Sequence, residues 1–296
     1  SIWDYFDIQS PTPHTAVLAR NAMPGAVWFP GAQVNYAQQV FRHVQPAQAA
    51  GFALTAVRSR PGPAVLTLDS PELPGVIASA THILSSVPPA SDGSDPVLIA
   101  HGDALARAPA KWIGYLSSTG VYGDAGGAWV DEASPRQGRR GGRNLADETW
   151  EALHPQSRVF RLPGIYGPGR SALDRLSAGP VARIDLLGHV FSRIHVDDIT
   201  GSVLASMHGG PAGVYNIADD LPAPGEAVTA AAARLLGMEP SPLIPLEQAA
   251  LSPMGRAFYA ECRRVANGRM KRQLGYSLLY PDYHAGLLAC LEESAP

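Results

Sequence analysis

Lysine is almost missing from this chain of 296 residues: only Lys111 and Lys271 occur, and arginine carries nearly all of the positive charge. The balance is 23 basic against 26 acidic residues, a formal net charge of −3, so there is no basic footprint for a phosphate backbone and nucleic acid is not an expected partner. Cysteine is equally scarce. Cys262 and Cys290 form no metal-ligand spacing, so no metal is expected and an intracellular, cytoplasmic, reduced protein is the simplest reading. No apolar run approaches the ~20 residues of a membrane span, so no membrane partner is expected. The opening S-I-W-D has neither the basic nor the apolar region of a signal peptide. What is plentiful is alanine, glycine (30) and proline (27), a usage that suggests a GC-rich bacterial genome. The apolar content suffices for the core of one large domain or two modest ones.

From about residue 52 onward, short β-rich runs alternate with helical ones. Strands are expected at 52–57, 64–68, 82–87, 112–117, 158–162, 190–194 and 214–217, short and mostly apolar as parallel strands covered on both faces are. Helices are expected at 95–108, 144–153 and 197–207, the last capped by Asp197 or Asp198 with Ile199, Val203, Leu204 and Met207 as its apolar stripe. This alternation predicts an α/β fold, a doubly wound parallel sheet of the Rossmann type with right-handed crossovers. Beyond Asp219 prolines punctuate helical pieces such as 226–236 and 255–274. These, with 167–187, predict a smaller C-terminal substrate lobe. The expected organisation is an extension at 1–25, a dinucleotide-binding domain at 26–165 to which 190–218 return, and the substrate lobe at 166–189 and 219–296.

The densest chemical signal is Y-L-S-S-T-G-V-Y-G-D at 115–124, a strand running out into hydroxyl side chains. Small hydroxyls at the carboxyl edge of a central strand stand where open α/β sheets bind ligands; capping of a strand-to-loop turn is the alternative role. Three further elements follow in order: R-L-P-G-I-Y-G-P-G-R at 161–170, R-I-H-V-D-D at 193–198 and V-Y-N-I-A-D at 214–219. Together they resemble the extended short-chain dehydrogenase/reductases, the NAD(P)-dependent epimerase/dehydratase-like family, over some 240 residues. The resemblance implies that Ser118, with Thr119 beside it, orients a substrate oxygen. Ser117, Ser86, Val87, Pro88, Pro163, Gly164 and Ile165 would line the cofactor cleft, and Tyr122, Arg170, Arg193 and His195 would stand near the substrate. Arg193 can meet a phosphate or make a surface ion pair; His195 is either an acid/base or structural. The implied ligand is a small molecule, a nucleotide sugar or related polyol, and a homodimer is left open.

Two parts of the family's pattern differ here. Its Tyr-x-x-x-Lys pair aligns with Arg139 and Arg143, expected on the helix after the V-Y-G strand. Arginine stays protonated near neutral pH and cannot relay a proton as a phenol does, although Arg143 can still donate hydrogen bonds to ribose. Arg139 would act at most electrostatically. Gly141 and Gly142 are expected to weaken that helix by roughly 1 kcal/mol each. The glycine fingerprint is the second difference: Gly31, after a strand candidate at 27–29, is its one glycine. Residues 1–43, with W-D-Y-F-D-I-Q-S-P-T-P and M-P-G-A-V-W-F-P-G-A-Q-V-N-Y-A-Q-Q-V-F-R-H, resemble instead the N-terminal segment of acetoacetyl-CoA synthetases; the ligase core is absent, and no adenylation is expected. Where a dinucleotide binds, Arg58 and Ser59 after the second strand favour NADP over NAD, because a guanidinium there can meet the 2′-phosphate. The alternative function is a non-catalytic binding protein of the same fold, or a rearranged gene product with an incomplete cofactor site.

Overall fold

The computed structural model describes residues 18–20, 27–28, 55–58, 65–251, 256 and 258–293, and the chain divides into compact units at 1–54 and 55–296. In the first unit, β1 (Leu18–Arg20) and β2 (Val27–Trp28) pair antiparallel. Val27–Trp28 is the described part of the strand candidate at 27–29. Gly31 and Ser59 lie outside the described residues, as do most of 1–43.

The second unit opens with β3 (Ala56–Arg58) parallel to β4 (Val65–Thr67), followed by α1 (Leu73–Ser79). Next come β5 (His82–Ser85), α2 (Pro96–Ala106) and β6 (Trp112–Ser118). A 3-10 turn, Thr119–Tyr122, and β7 (Trp129–Val130) lead to α3 (Gly141–Ala152) and β8 (Ser157–Leu162). The parallel ladder β12-β8-β6-β5, with β12 being Gly213–Asn216, is the central sheet. Nearly every side chain of β6 and β8 is buried, as covering on both faces requires. Among the described ladders, β3 pairs only with β4 and β5 only with β6, yet Val57, Leu66, Ile83, Ile113 and Tyr115 pack into one core. In the doubly wound order the first strand falls between β3 and β5.

The helices follow from local chemistry. Asp95 caps α2, its Oδ1 accepting from Val97 N at 2.9 Å and Leu98 N at 3.0 Å, with Pro96 at the first helical position. Helix α3 begins at Gly141, three residues earlier than expected. Both glycines therefore sit in its first turn, where the backbone of Gly142 passes so close to Gly93 that a Cβ would lie 2.3 Å from Gly93 Cα.

After β9 (Gly164–Tyr166), α4 (Ala172–Ala178) starts with a capping box of Ser171 and Asp174. Next come β10 (Arg183–Asp185), β11 (Arg193–His195) and α5 (Val196–His208). The cap of α5 is His195, whose Nδ1 accepts from Asp197 N at 3.3 Å, in place of the expected Asp197 or Asp198. Asp198 turns instead to the segment 276–280, accepting from Leu279 N at 2.7 Å and Tyr276 Oη at 2.9 Å. Of the strand expected at 190–194, Phe191 makes an isolated bridge to Ala223 and only the end enters β11. The chain continues with α6 (Gly225–Leu235), β13 (Leu243–Pro245), β14 (Arg264–Val265), α7 (Gly268–Leu274) and α8 (Tyr283–Glu293). The single helix expected at 255–274 is interrupted: Arg256 and Phe258 are helical, Arg264–Val265 form β14 paired with β7, and the chain is helical again at 268–274. No helix among the described residues is long and apolar enough to cross a membrane.

Candidate active site

Strand register brings polar residues into one row at the carboxyl edge of the sheet. Ser117 on β6 is opposite Arg161 on β8, and Arg161 is opposite Asn216 on β12. Helix α3 adds Asp147, and the 3-10 turn adds Tyr122. Ser117 Oγ donates to Asp147 Oδ2 at 2.6 Å, and Arg161 Nη2 donates to Asp147 Oδ1 at 2.7 Å. On its other side Arg161 Nη1 donates to Tyr122 Oη at 2.9 Å, and Tyr122 donates to Asn216 Oδ1 at 2.7 Å. Arg136 Nε reaches Asp147 Oδ1 at 2.8 Å and also pairs with Glu151. Glu132 accepts from Asn216 N at 2.8 Å.

Both members of the central ion pair are out of water: Arg161 is 1% exposed and Asp147 0%. Burial pushes the Asp147 pKa up, but the hydrogen bonds and charge of Arg161, with Ser117 and Arg136, outweigh it and hold the carboxyl below its usual range. Burial likewise lowers Arg161, and Asp147 and Tyr122 more than reverse it. Sequence reasoning missed this pair. Its signal was an arginine inside the apolar run 157–162 and an aspartate on the buried side of a helix, two charges that need each other once buried.

The hydroxyls beside the row divide by what they have left to give. Ser117 spends its proton on Asp147. Thr119 is buried, its hydroxyl 3.5 Å from Leu162 O. Tyr122 is buried, uses its oxygen both ways, and burial raises its pKa. Ser118 is half-buried, and its Oγ accepts from Gly120 N at 3.1 Å, capping the turn. That bond uses a lone pair and leaves the O–H free to donate. The capping role and a substrate-facing role are therefore compatible in Ser118.

Of the aligned arginines, Arg143 is on the helix as expected and Arg139 is not. Arg139 lies in a bend ahead of α3, because the helix starts only at Gly141, and its Nε pairs with Glu261 at 2.8 Å. Arg143 is on the helix and half-buried. Ser86, Val87 and Pro88 follow directly on β5, with Ser86 and Pro88 exposed. Beside them Ser85 Oγ is buried without a hydrogen-bond partner among the described residues. Pro163 separates β8 from β9, and Gly164 and Ile165 pair with Arg193 and Ile194. Arg58 ends β3. Arg170 is exposed, in the turn after β9.

The remaining candidates gather around β11. His195 is fully buried, with Nε2 3.6 Å from Cys290 Sγ and rings of Tyr280 and Tyr166 at 4.2 and 5.2 Å, so it is removed from solvent. Burial pushes the Cys290 thiol up to about 12. Arg193 Nη1 donates to Phe191 O at 2.8 Å and Ala223 O at 2.9 Å, and burial lowers its pKa to about 10, so it stays charged at neutral pH. Asp219, whose N–H donates to Arg193 O at 2.8 Å, is 1% exposed, and neither carboxylate oxygen completes a hydrogen bond among the described residues. Burial pushes it up to about 8, more than the Arg193 charge and the nearby Leu221 N–H pull it down.

Comparison with known proteins agrees with this architecture. No family model matches the chain. A conserved protein of unknown function from Silicibacter pomeroyi is 41% identical, with a TM-score of 0.77 over 87% of this chain and 95% of that one. A Methylobacillus flagellatus protein, assigned by name to the NAD-dependent epimerase/dehydratases, is 27% identical, with a TM-score of 0.59 over 86% of this chain and 94% of the other. Human epimerase family protein SDR39U1, solved with NADPH, shares the fold at 22% identity, a TM-score of 0.65 and 87% and 96% coverage. A Streptomyces 3-diazoavenalumate denitrifying reductase is 31% identical over 140 residues, 44% of this chain; the match spans about half (45%) of that curated relative.

Proposed function

Because this chain belongs to the extended short-chain dehydrogenase/reductases, in their NAD(P)-dependent epimerase/dehydratase-like branch, we propose that it binds a nicotinamide dinucleotide and acts as an oxidoreductase on a small molecule. NADP is favoured over NAD by Arg58 at the end of β3, and the substrate implied by the family is a nucleotide sugar or related polyol. The observation that carries the reading is Ser118: a half-buried hydroxyl at the carboxyl end of β6, anchored through one lone pair, with its proton free.

The described residues fit the nicotinamide half of such a cofactor. Ser85 Oγ is a buried polar atom without a hydrogen-bond partner among the described residues at the end of β5, close in sequence to the exposed Ser86 and Pro88, and Pro163–Ile165 would offer backbone groups to the nicotinamide amide. When bound, the cofactor supplies or accepts the hydride. Ser118 would orient the substrate oxygen, and Arg143 would donate to ribose. Arg139, held by Glu261, would contribute charge but no proton. The cofactor domain in this reading starts near residue 55, since 1–54 form a unit of their own, and runs to 165 with 190–218 returning. Residues 166–189 and 219–296 are the substrate lobe. We place the protein in the cytoplasm, as a homodimer through the face where Ile99 on α2 and Leu145 on α3 are exposed by 74% and 63%. Sedimentation of the wild type against Ile99→Glu/Leu145→Glu tests that assembly.

The expected outcome for function is that NADPH quenches tryptophan fluorescence and raises the melting temperature. Ser118→Ala should keep that affinity while abolishing turnover of the substrate. An unresponsive protein at millimolar NADPH refutes the cofactor. The arginines at the aligned Tyr and Lys positions favour a second reading, a non-catalytic binding protein; cofactor binding without turnover of any nucleotide sugar or carbonyl substrate would select it.

A further inference from the structure

We propose that the substrate of this site is an aromatic acid, a planar ring carrying a carboxylate, whose ring seats on a wall of Phe191, Phe258 and Tyr259 with the acid group toward Arg193. The inference rests on the oxidoreductase reading in placing the wall at the same cleft, and it replaces the sugar with an arene.

The wall is one contiguous group of rings. Phe258 stacks on Phe191 with centroids 4.4 Å apart and planes at 13°, and Tyr259 meets Phe191 edge-on at 5.4 Å and 80°. His189 backs them, 4.6 Å from Phe191 and 5.7 Å from Tyr259. Phe258 is 56% exposed, so one face of the stack is open to a further ring at the offset or edge-on geometries that aromatic quadrupoles favour. The wall also adjoins the catalytic rim through the chain that follows it. Glu261 holds Arg139, Cys262 N donates to Asp124 Oδ1 at 2.8 Å, and Arg263 Nη1 donates to Gly123 O at 2.6 Å. Residues 259–263 thus run from the aromatic wall to the loop after V-Y-G.

Chemistry at the wall favours an arene over a polyol. A stack of rings with one exposed face gains most from a planar aromatic partner, whose quadrupole suits the offset and edge-on geometries already present in the wall. His189 is 9% exposed, and neither ring nitrogen completes a hydrogen bond of good geometry among the described residues. Burial holds its pKa below the ordinary value against the nearby carbonyls of Glu261 and Tyr259, so it is neutral backing at pH 7. The charge is supplied at one end. The Arg193 guanidinium lies 5.8 Å from the Phe191 ring centroid, and both of its described hydrogen bonds leave from Nη1. Its neighbour Asp219, pushed up by burial, does not cancel it fully at neutral pH. One guanidinium beside stacked rings matches a carboxylate set off from an arene.

Isothermal titration of the full chain with 4-hydroxycinnamate, its alcohol 4-hydroxycinnamyl alcohol, and UDP-glucose tests this, each with and without NADPH. We expect 4-hydroxycinnamate to bind, the alcohol to bind at least about tenfold more weakly, and Phe258→Ala to weaken the acid about fivefold to tenfold while leaving NADPH affinity unchanged. Phe258 is exposed, so that substitution leaves the core intact. Absence of 4-hydroxycinnamate binding at millimolar concentration, with NADPH still bound, overturns the aromatic subsite and leaves the cofactor reading standing. UDP-glucose binding that survives Phe258→Ala overturns it as well. Binding of 4-hydroxycinnamate with no response to NADPH supports the wall and removes the cofactor.

Discussion

Replacing Asp147 by asparagine probes what holds the polar row at the sheet's carboxyl edge together. The substitution keeps the shape of the side chain but removes the charge that Arg161, Arg136 and Ser117 all address, leaving the Arg161 guanidinium 1% exposed and uncompensated. Breaking a buried pair by removing one partner costs about 3–5 kcal/mol, so Asp147→Asn should lower the melting temperature by roughly 10 °C. The pH dependence has a fixed sign. Asp147 titrates below its unfolded value, so the stability it confers is full above about pH 4 and is lost as pH falls through the folded pKa. The deficit of the variant should therefore be complete at pH 7 and shrink in acid. Urea unfolding followed by tryptophan fluorescence across that range reads both, with Trp150 on α3 as a buried reporter. Arg161→Met should be costly alone, and the double variant less costly than the sum by a coupling on the order of 2 kcal/mol. A loss under about 1 kcal/mol at pH 7, or a deficit that ignores acid, would refute the view that this pair is the keystone of the rim.

The two glycines opening α3 should respond oppositely. Gly141 faces open space, so Gly141→Ala should stabilise by about 0.5–1 kcal/mol, whereas Gly142→Ala drives a Cβ against the Gly93 backbone and should cost about 1–3 kcal/mol in the same unfolding assay. Asp219 carries a raised pKa, about 8, so the folded state holds its proton longer than the unfolded chain and stability falls as pH rises from about 4 to 8. Asp219→Asn should remove that slope, and its melting advantage over wild type should grow between pH 5 and pH 8. Ser118→Ala should lose only the turn cap, about 1 kcal/mol by thermal melting, so a larger activity loss would belong to the chemistry rather than to unfolding.

Periodicity and end signals determined much of this molecule before any coordinates. Short apolar runs alternating with amphipathic ones gave the parallel strands around Ser118 and the helices at 95–108, 144–153 and 197–207 to within a few residues, because burial on two faces or one writes itself locally into hydrophobic spacing. The hydroxyls at 117–119 were legible for the same reason, standing where an apolar strand ends. The cap of α5 was misread since His195 and the two aspartates are all able acceptors in sequence, and only packing against Tyr276 and Leu279 drew Asp198 away. Likewise, whether 255–274 made one helix depended on a pairing between Trp129–Val130 and Arg264–Val265 that no local window contains. The union of Ser117, Asp147, Arg161, Tyr122 and Asn216 needed strand register to create it. Charges far apart along the chain become partners only when folding removes the water between them, and that step belongs to the tertiary structure alone.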